Sequence, residues 1–241
     1  MLALFLILLA LLSCVVAFQK VLVLGGSGFV GNTIAQIAAN SGAEVIAISR
    51  RGQVEGLSPN KNIAYVKGDA ASESDMSAIF DQYGPFDAVV HAIGLLLDNE
   101  SGLASYNKIA SGSGSVPGQD SSYDRITRQT SFIAIDRIIK QQQSTGGAES
   151  ETEAGSGDTQ QNVPIPFVFV SAAEAGWTFK APVKFLERYL VAKRAVENKL
   201  LTSAPYIRPI ILRPSLIYTY VMTIDMLGAL FLCYVDVIFH I

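Results

Sequence analysis

Residues 21–31 read VLVLGGSGFVG, four apolar residues that break directly into glycines. A short apolar run ending in glycine predicts a buried strand closed by a tight turn. Beyond it, Val30, Ile34, Ile37 and Ala38 recur at helical spacing from Phe29 to Ser41, and Gly42 stands just past the end as a C-cap. Gly25, Gly28 and Gly31 therefore punctuate a strand-to-helix turn. Gly25 allows a turn that a Cβ would obstruct, Gly28 lets a diphosphate approach the backbone, and Gly31 lets the helix lie close on the strand. The amides of Ser27, Phe29 and Val30, at the positive end of that helix, would face the phosphates. The same glycines would also serve a plain βα turn, so the context decides.

That context is an alternation of strand and helix. Glu44–Ile48 and Asn62–Val66 read as the next strands, Ser72–Tyr83 as a helix capped by Ser72, and Phe86–His91 as a fourth strand. A long helix follows over Tyr123–Gln142, a fifth strand over Phe167–Val170, a helix over Val183–Leu201 and a sixth strand over Ile207–Leu212. Strands separated by helices predict an α/β fold, a Rossmann-type doubly wound parallel sheet covered on both faces. In that setting the glycine turn reads as a dinucleotide site.

Two stretches interrupt the rhythm. Residues 98–122 form a long Gly/Ser-rich connection that still carries Leu103, Tyr106 and Ile109 for packing. Residues 143–163 are low in complexity and carry no apolar side chain bulkier than alanine before Val163, which predicts a disordered surface loop.

The 241 residues carry a formal charge of −3 and no basic run, which argues against nucleic acid as a partner. The two cysteines, Cys14 and Cys233, lie in hydrophobic segments near opposite ends, so the core holds neither a disulfide framework nor a cysteine metal site. Residues 1–18 are an uncharged apolar leader: a cleaved signal or targeting segment ending near Val15-Val16-Ala17, a membrane anchor, or the product of a faulty start site. The tail, residues 219–241, is also apolar, but Asp225 and Asp236 would each cost about 2.5–3.5 kcal/mol at a bilayer centre. It reads as a handicapped spanning helix, a buried helix or a truncated ending. Residues 19–218 remain as the nucleotide-binding domain.

The second strand ends AISRRG, with Arg50 and Arg51 where NAD binders place an acid. Guanidinium groups there suit a 2′-phosphate and favour NADP over NAD, unless they are merely solvated surface arginines. Asp69 stands either at an adenine edge or as a helix cap or turn former. His91, Ala92 and Ile93 close the fourth strand, where small residues would let a cofactor lie across the strand end. The His91 ring itself reads more readily as a core histidine than as a catalyst.

VLVLGGSGFVG, VKGDAAS, VVHAIG, YLVAK and IILRPSLIY, in that order, resemble the extended and atypical short-chain dehydrogenases/reductases, the NAD-dependent epimerase/dehydratase-like group. Within them, SGSGSVP, SSYDRITRQTSFIAI and YLVAKRAVE look most like the mitochondrial ubiquinone-biosynthesis-associated branch, related to the NADPH-binding accessory subunit of respiratory complex I. The resemblance covers residues 19–218.

It implies a Tyr-x-x-x-Lys pair, Tyr189 and Lys193, one helical turn apart on a shared face. Tyr189 would exchange a proton with the substrate, Lys193 would hold the nicotinamide ribose and lower the tyrosine's pKa, and Ser171 would polarise the substrate oxygen. It further implies a mitochondrial inner-membrane location and a quinone-like or lipid-like substrate, or else an accessory role in a membrane complex. The leader, without arginine, points to the secretory route or an anchor instead. Three departures stand out. Ser171 precedes Tyr189 by 18 positions rather than about a dozen, Thr130 replaces an asparagine, and after Arg213-Pro214-Ser215 the substrate lobe is largely absent.

Overall fold

The computed structural model describes residues 19–53, 56, 59–95, 97–102, 104–106, 117–118, 120–147, 163–214 and 235–239. The leader, residues 148–162 and most of the tail lie outside the described residues.

Each predicted strand forms, because each is an apolar run short enough to cross a sheet once. β1 (Lys20–Leu24), β2 (Glu44–Ser49), β3 (Ile63–Lys67), β4 (Ala88–His91), β5 (Ile165–Val170) and β6 (Ile207–Pro214) pair in parallel in the order β3-β2-β1-β4-β5-β6. This is the doubly wound Rossmann order, with its switch point between β1 and β4. Val235–Phe239 forms a further strand, β7, antiparallel to β6. These five tail residues are extended rather than helical, and their backbone pairs with the edge of β6.

Alternation along β1 and β2 divides the core. Leu22, Leu24, Ile46 and Ile48 face one side with Val89, Phe167 and Phe169, where they meet Met76 and Ile79 of α2 (Glu73–Tyr83), Ile135 and Ile138 of α3 (Thr130–Gly147) and Val196 and Leu200 of α4 (Lys184–Leu201). Val21, Val23, Val45 and Ala47 face the other side, under Ala35 and Ala39 of α1 (Phe29–Asn40). Over β5 and β6 that second face keeps Val168, Val170, Ile210 and Leu212 only partly buried.

Local signals set the helix ends. Gly42 adopts φ +97 and closes α1 with a Schellman pair, Gly42 N–H to Ala39 carbonyl and Ala43 N–H to Ala38 carbonyl. Ser72 caps α2 by accepting from the Asp75 amide. α3 runs five residues past its expected end, to Gly147, taking the first residues of the low-complexity stretch into helix. It is preceded by a π-helical turn, Asp124–Gln129. Among the described residues no helix is long and apolar enough to cross a membrane.

Candidate nucleotide and catalytic site

The β1–α1 turn is built by close approach. Gly25 (φ +86) and Gly26 both donate to the Ile48 carbonyl, at 2.9 and 3.0 Å, which hooks the turn over the end of β2. A Cβ on Gly31 would lie 2.2 Å from the Gly25 carbonyl oxygen, so only glycine lets α1 start there. A Cβ on Gly25 would meet the Ala92 backbone and the Ile93 side chain at 3.1 Å, which places the end of β4 beside the turn. Gly26, unremarked in the sequence, is equally constrained: its Cβ would sit 2.5 Å from that of Ala47.

Gly28 precedes α1 without a side-chain cap, and no acid occupies the first turn. Among the described residues the amides of Ser27, Phe29, Val30 and Gly31 find no protein acceptor. An uncapped, acid-free helix start over bare glycine backbone fits the diphosphate of a dinucleotide.

Around this turn the expected residues take distinct places. Arg50 and Arg51 are exposed at the end of β2 and make no ion pair among the described residues. Asp69 forms a turn, its Oδ1 accepting from the Ala71 amide at 2.9 Å, and its Oδ2 pairs at 2.9 Å with Arg125, 56 positions on. His91 is fully buried, its Nε2 2.8 Å from the Thr130 hydroxyl and its ring 5.5 Å from that of Phe169. The Thr130 hydroxyl also lies 2.8 Å from the Ile126 carbonyl, and among the described residues His91 Nδ1 has no hydrogen-bond partner. Burial, followed by the nearby Lys193 charge, pushes the His91 pKa down to about 3. The ring is therefore neutral, and what β4 offers a ligand is backbone with Ala92 and Ile93.

Of the residues the resemblance names, Lys193 and Ser171 lie at the end of β5, and Tyr189 neighbours Lys193 on α4. Tyr189, Lys193 and Glu197 lie at successive turns on one face of α4, and the Lys193 ammonium is 5.5 Å from the Tyr189 ring centre. Lys193 is 2% exposed and donates to the Val170 carbonyl at 2.7 Å. Burial lowers its pKa to about 8 against the opposing pull of Glu197. Ser171, next along the chain, donates its hydroxyl to Glu197 Oε1 at 2.6 Å rather than standing free. Arg213 closes this cluster through two bonds to Glu197, at 3.0 and 2.6 Å, so it is the strand-end ion pair. Glu197 left no signal in the sequence.

Tyr189 has a second neighbour that sequence reading missed. Tyr123 packs edge-on against it, ring centres 5.4 Å apart, and accepts from the Asp98 amide. Asp98, 1% exposed, pairs with Arg188 at 2.9 Å, and Arg188 lies 6.0 Å over the Tyr123 ring. This interlock borders a cavity of about 320 Å³ lined in part by Asp98, Tyr123, Glu187 and Arg188. Burial, then the Glu174 charge, holds the Tyr189 hydroxyl well above the ordinary tyrosine range. Tyr123 is pushed up to about 12, chiefly by burial.

The NAD dependent epimerase/dehydratase family is matched over residues 21–109. Among curated proteins, the chain is 27% identical over 220 residues to MIOREX complex component 2 of Saccharomyces cerevisiae, covering 83% of this chain and 73% of that one. It is 32% identical over 98 residues to a bifunctional UDP-glucose and UDP-xylose 4-epimerase of Pisum sativum, 36% of this chain and 28% of that protein. Among solved structures, a 3-ketoacyl-(acyl-carrier-protein) reductase from Brucella melitensis complexed with NADH superposes with a TM-score of 0.56 at 18% identity, covering 82% of this chain and 75% of that one. The Bordetella bronchiseptica enzyme WbmH in complex with NAD+ gives 0.52 at 19% identity, covering 81% of this chain. The chain spans only 56% of WbmH and 55% of a Thermotoga maritima UDP-glucose 4-epimerase. The chain thus has a Rossmann fold, and its residues 21–109 match the NAD dependent epimerase/dehydratase family.

Proposed function

We propose that this protein binds NADP(H), in preference to NAD(H), across the β1–α1 turn and acts as a reductase on a quinone-like or lipid-like substrate. The observation that carries the reading is the uncapped start of α1, where free amides stand over glycine backbone that tolerates no Cβ at Gly31. Gly25, Ser27, Gly28, Phe29, Val30 and Gly31 would hold the diphosphate, Arg50 and Arg51 the 2′-phosphate, and Ala92, Ile93 and Lys193 the nicotinamide side. Bound NADPH supplies a hydride. The chain's own part is the proton: Tyr189, kept protonated by burial, donates from its hydroxyl to the substrate oxygen. The Lys193 charge nearby stabilises the phenolate left behind.

A second reading is favoured by the closure around Tyr189. With Tyr123 against its ring and the Ser171 hydroxyl given to Glu197, the site suits a dinucleotide held for structure in an accessory protein. The likeness to a yeast complex component supports that role, and the branch resemblance supports the mitochondrial inner membrane as its place.

One experiment separates the two. Calorimetric titration with NADPH should give equal binding by the wild type and Tyr189→Phe, while NADPH consumption against a panel of quinones and carbonyls disappears in the variant. Binding without consumption by the wild type selects the accessory role. Absence of binding to either reduced coenzyme rejects both readings.

A further inference from the structure

Between β5 and α4 the chain presents an aromatic platform that the dinucleotide site does not use. The Trp177 and Phe179 rings stack at 4.9 Å, inclined 17°, and are 36% and 59% exposed; Val183 is 43% exposed. Three of the seven large hydrophobic residues exposed in the described structure thus fall within seven positions.

The platform is held, not loose. Arg194 donates to the Ala175 and Trp177 carbonyls, both at 3.0 Å, and the Ala181 amide donates to Glu187 at 2.7 Å. Ala175 and Ala181 are buried against Leu190 of α4, with Tyr189 packed beside them. Both feet of the segment are therefore fixed to the helix that carries Tyr189, and only the tip faces outward.

Charge selects the occupant. Residues 175–186 contain Lys180 and Lys184 and no acid, in a chain whose net charge is −3. Both lysines are exposed. An aromatic tip flanked by lysines suits the headgroup layer of an anionic bilayer, where tryptophan rings lodge at the interface and lysines meet lipid phosphates.

We propose that residues 177–184 dock the protein onto an anionic lipid surface, turning the Tyr189 side of the fold toward the bilayer. The proposal does not depend on whether the site turns over. Trp177 is the chain's single tryptophan, so its emission reports this tip and nothing else.

The test mixes the full chain with phosphatidylserine-containing or pure phosphatidylcholine vesicles carrying brominated acyl chains. A blue shift and quenching of Trp177 on the anionic vesicles, lost in Lys180→Glu/Lys184→Glu with unchanged circular dichroism, is the expected result. Neutralising each lysine should weaken the quenching titration by about fivefold. Sedimentation with vesicles while Trp177 stays unquenched would mean that another segment holds the membrane and would overturn the proposal. So would equal quenching on neutral vesicles. A blue shift that rises with protein concentration in the absence of lipid would assign the platform to a second copy of the chain and overturn it as well.

Discussion

Ser171 donates its hydroxyl proton to Glu197 at 2.6 Å, and Arg213 holds the other side of the same carboxylate. Glu197 is 4% exposed, so its charge is tolerable because it is paired and hydrogen-bonded. Removing the carboxylate in Glu197→Ala takes away the acceptor that Arg213 and Ser171 share and should cost about 3–5 kcal/mol. Ser171→Ala leaves the ion pair whole and should cost about 1 kcal/mol. In thermal unfolding, the first should lower Tm by roughly 10 °C and the second by about 2–4 °C. Equal losses would show that the serine, not the arginine, holds Glu197 in place.

Gly31→Ala puts a methyl 2.2 Å from the Gly25 carbonyl oxygen, a backbone atom that cannot swing aside. The start of α1 must shift, costing about 1–3 kcal/mol and removing NADPH binding as measured by titration. Gly42→Ala is the matched control. It meets nothing within 4 Å and suffers only the positive φ, about 1–2 kcal/mol, so it should lose stability while keeping binding.

Arg50→Ala/Arg51→Ala removes two exposed guanidinium groups that make no ion pair among the described residues, so the fold should be unaffected. NADPH affinity should fall by roughly tenfold or more while NADH affinity holds. A wild type that binds the two coenzymes equally would end the assignment of these arginines.

The reading from sequence succeeded where the cause is local. Gly42 as a C-cap, Ser72 as an N-cap and the glycine turn are decided by residues within a few positions of one another, and β1 to β6 by runs of apolar side chains. What escaped were pairings across the fold: Ser171 with Glu197, 26 positions apart; His91 with Thr130, 39 apart; Asp98 with Arg188, 90 apart. Each joins residues far apart along the chain, so no period or spacing marks it. β7 escaped for a related reason, because an apolar segment suits a strand only when an unpaired edge awaits it.

His91 predicts an acid limit to stability. Folded, its pKa lies at about 3, against an ordinary 6.5 in the unfolded chain. Between those values the unfolded state binds the extra proton, so stability rises with pH and is lost as pH falls from 6.5 toward 3. The loss should approach about 1.4 kcal/mol per pH unit. Denaturant melts across that range should show the slope, and His91→Phe should flatten it; an unchanged slope would place the titration elsewhere.

The Asp98–Arg188 pair also sets an order of events on the ribosome. Asp98 is synthesised ninety residues ahead of its partner, so at about 5–20 residues per second it waits roughly 5–20 s. During that interval a carboxylate destined for the interior has no countercharge, and the segment after β4 has no reason to settle. The corner around Tyr123 and Tyr189 therefore cannot close before Arg188 has been made.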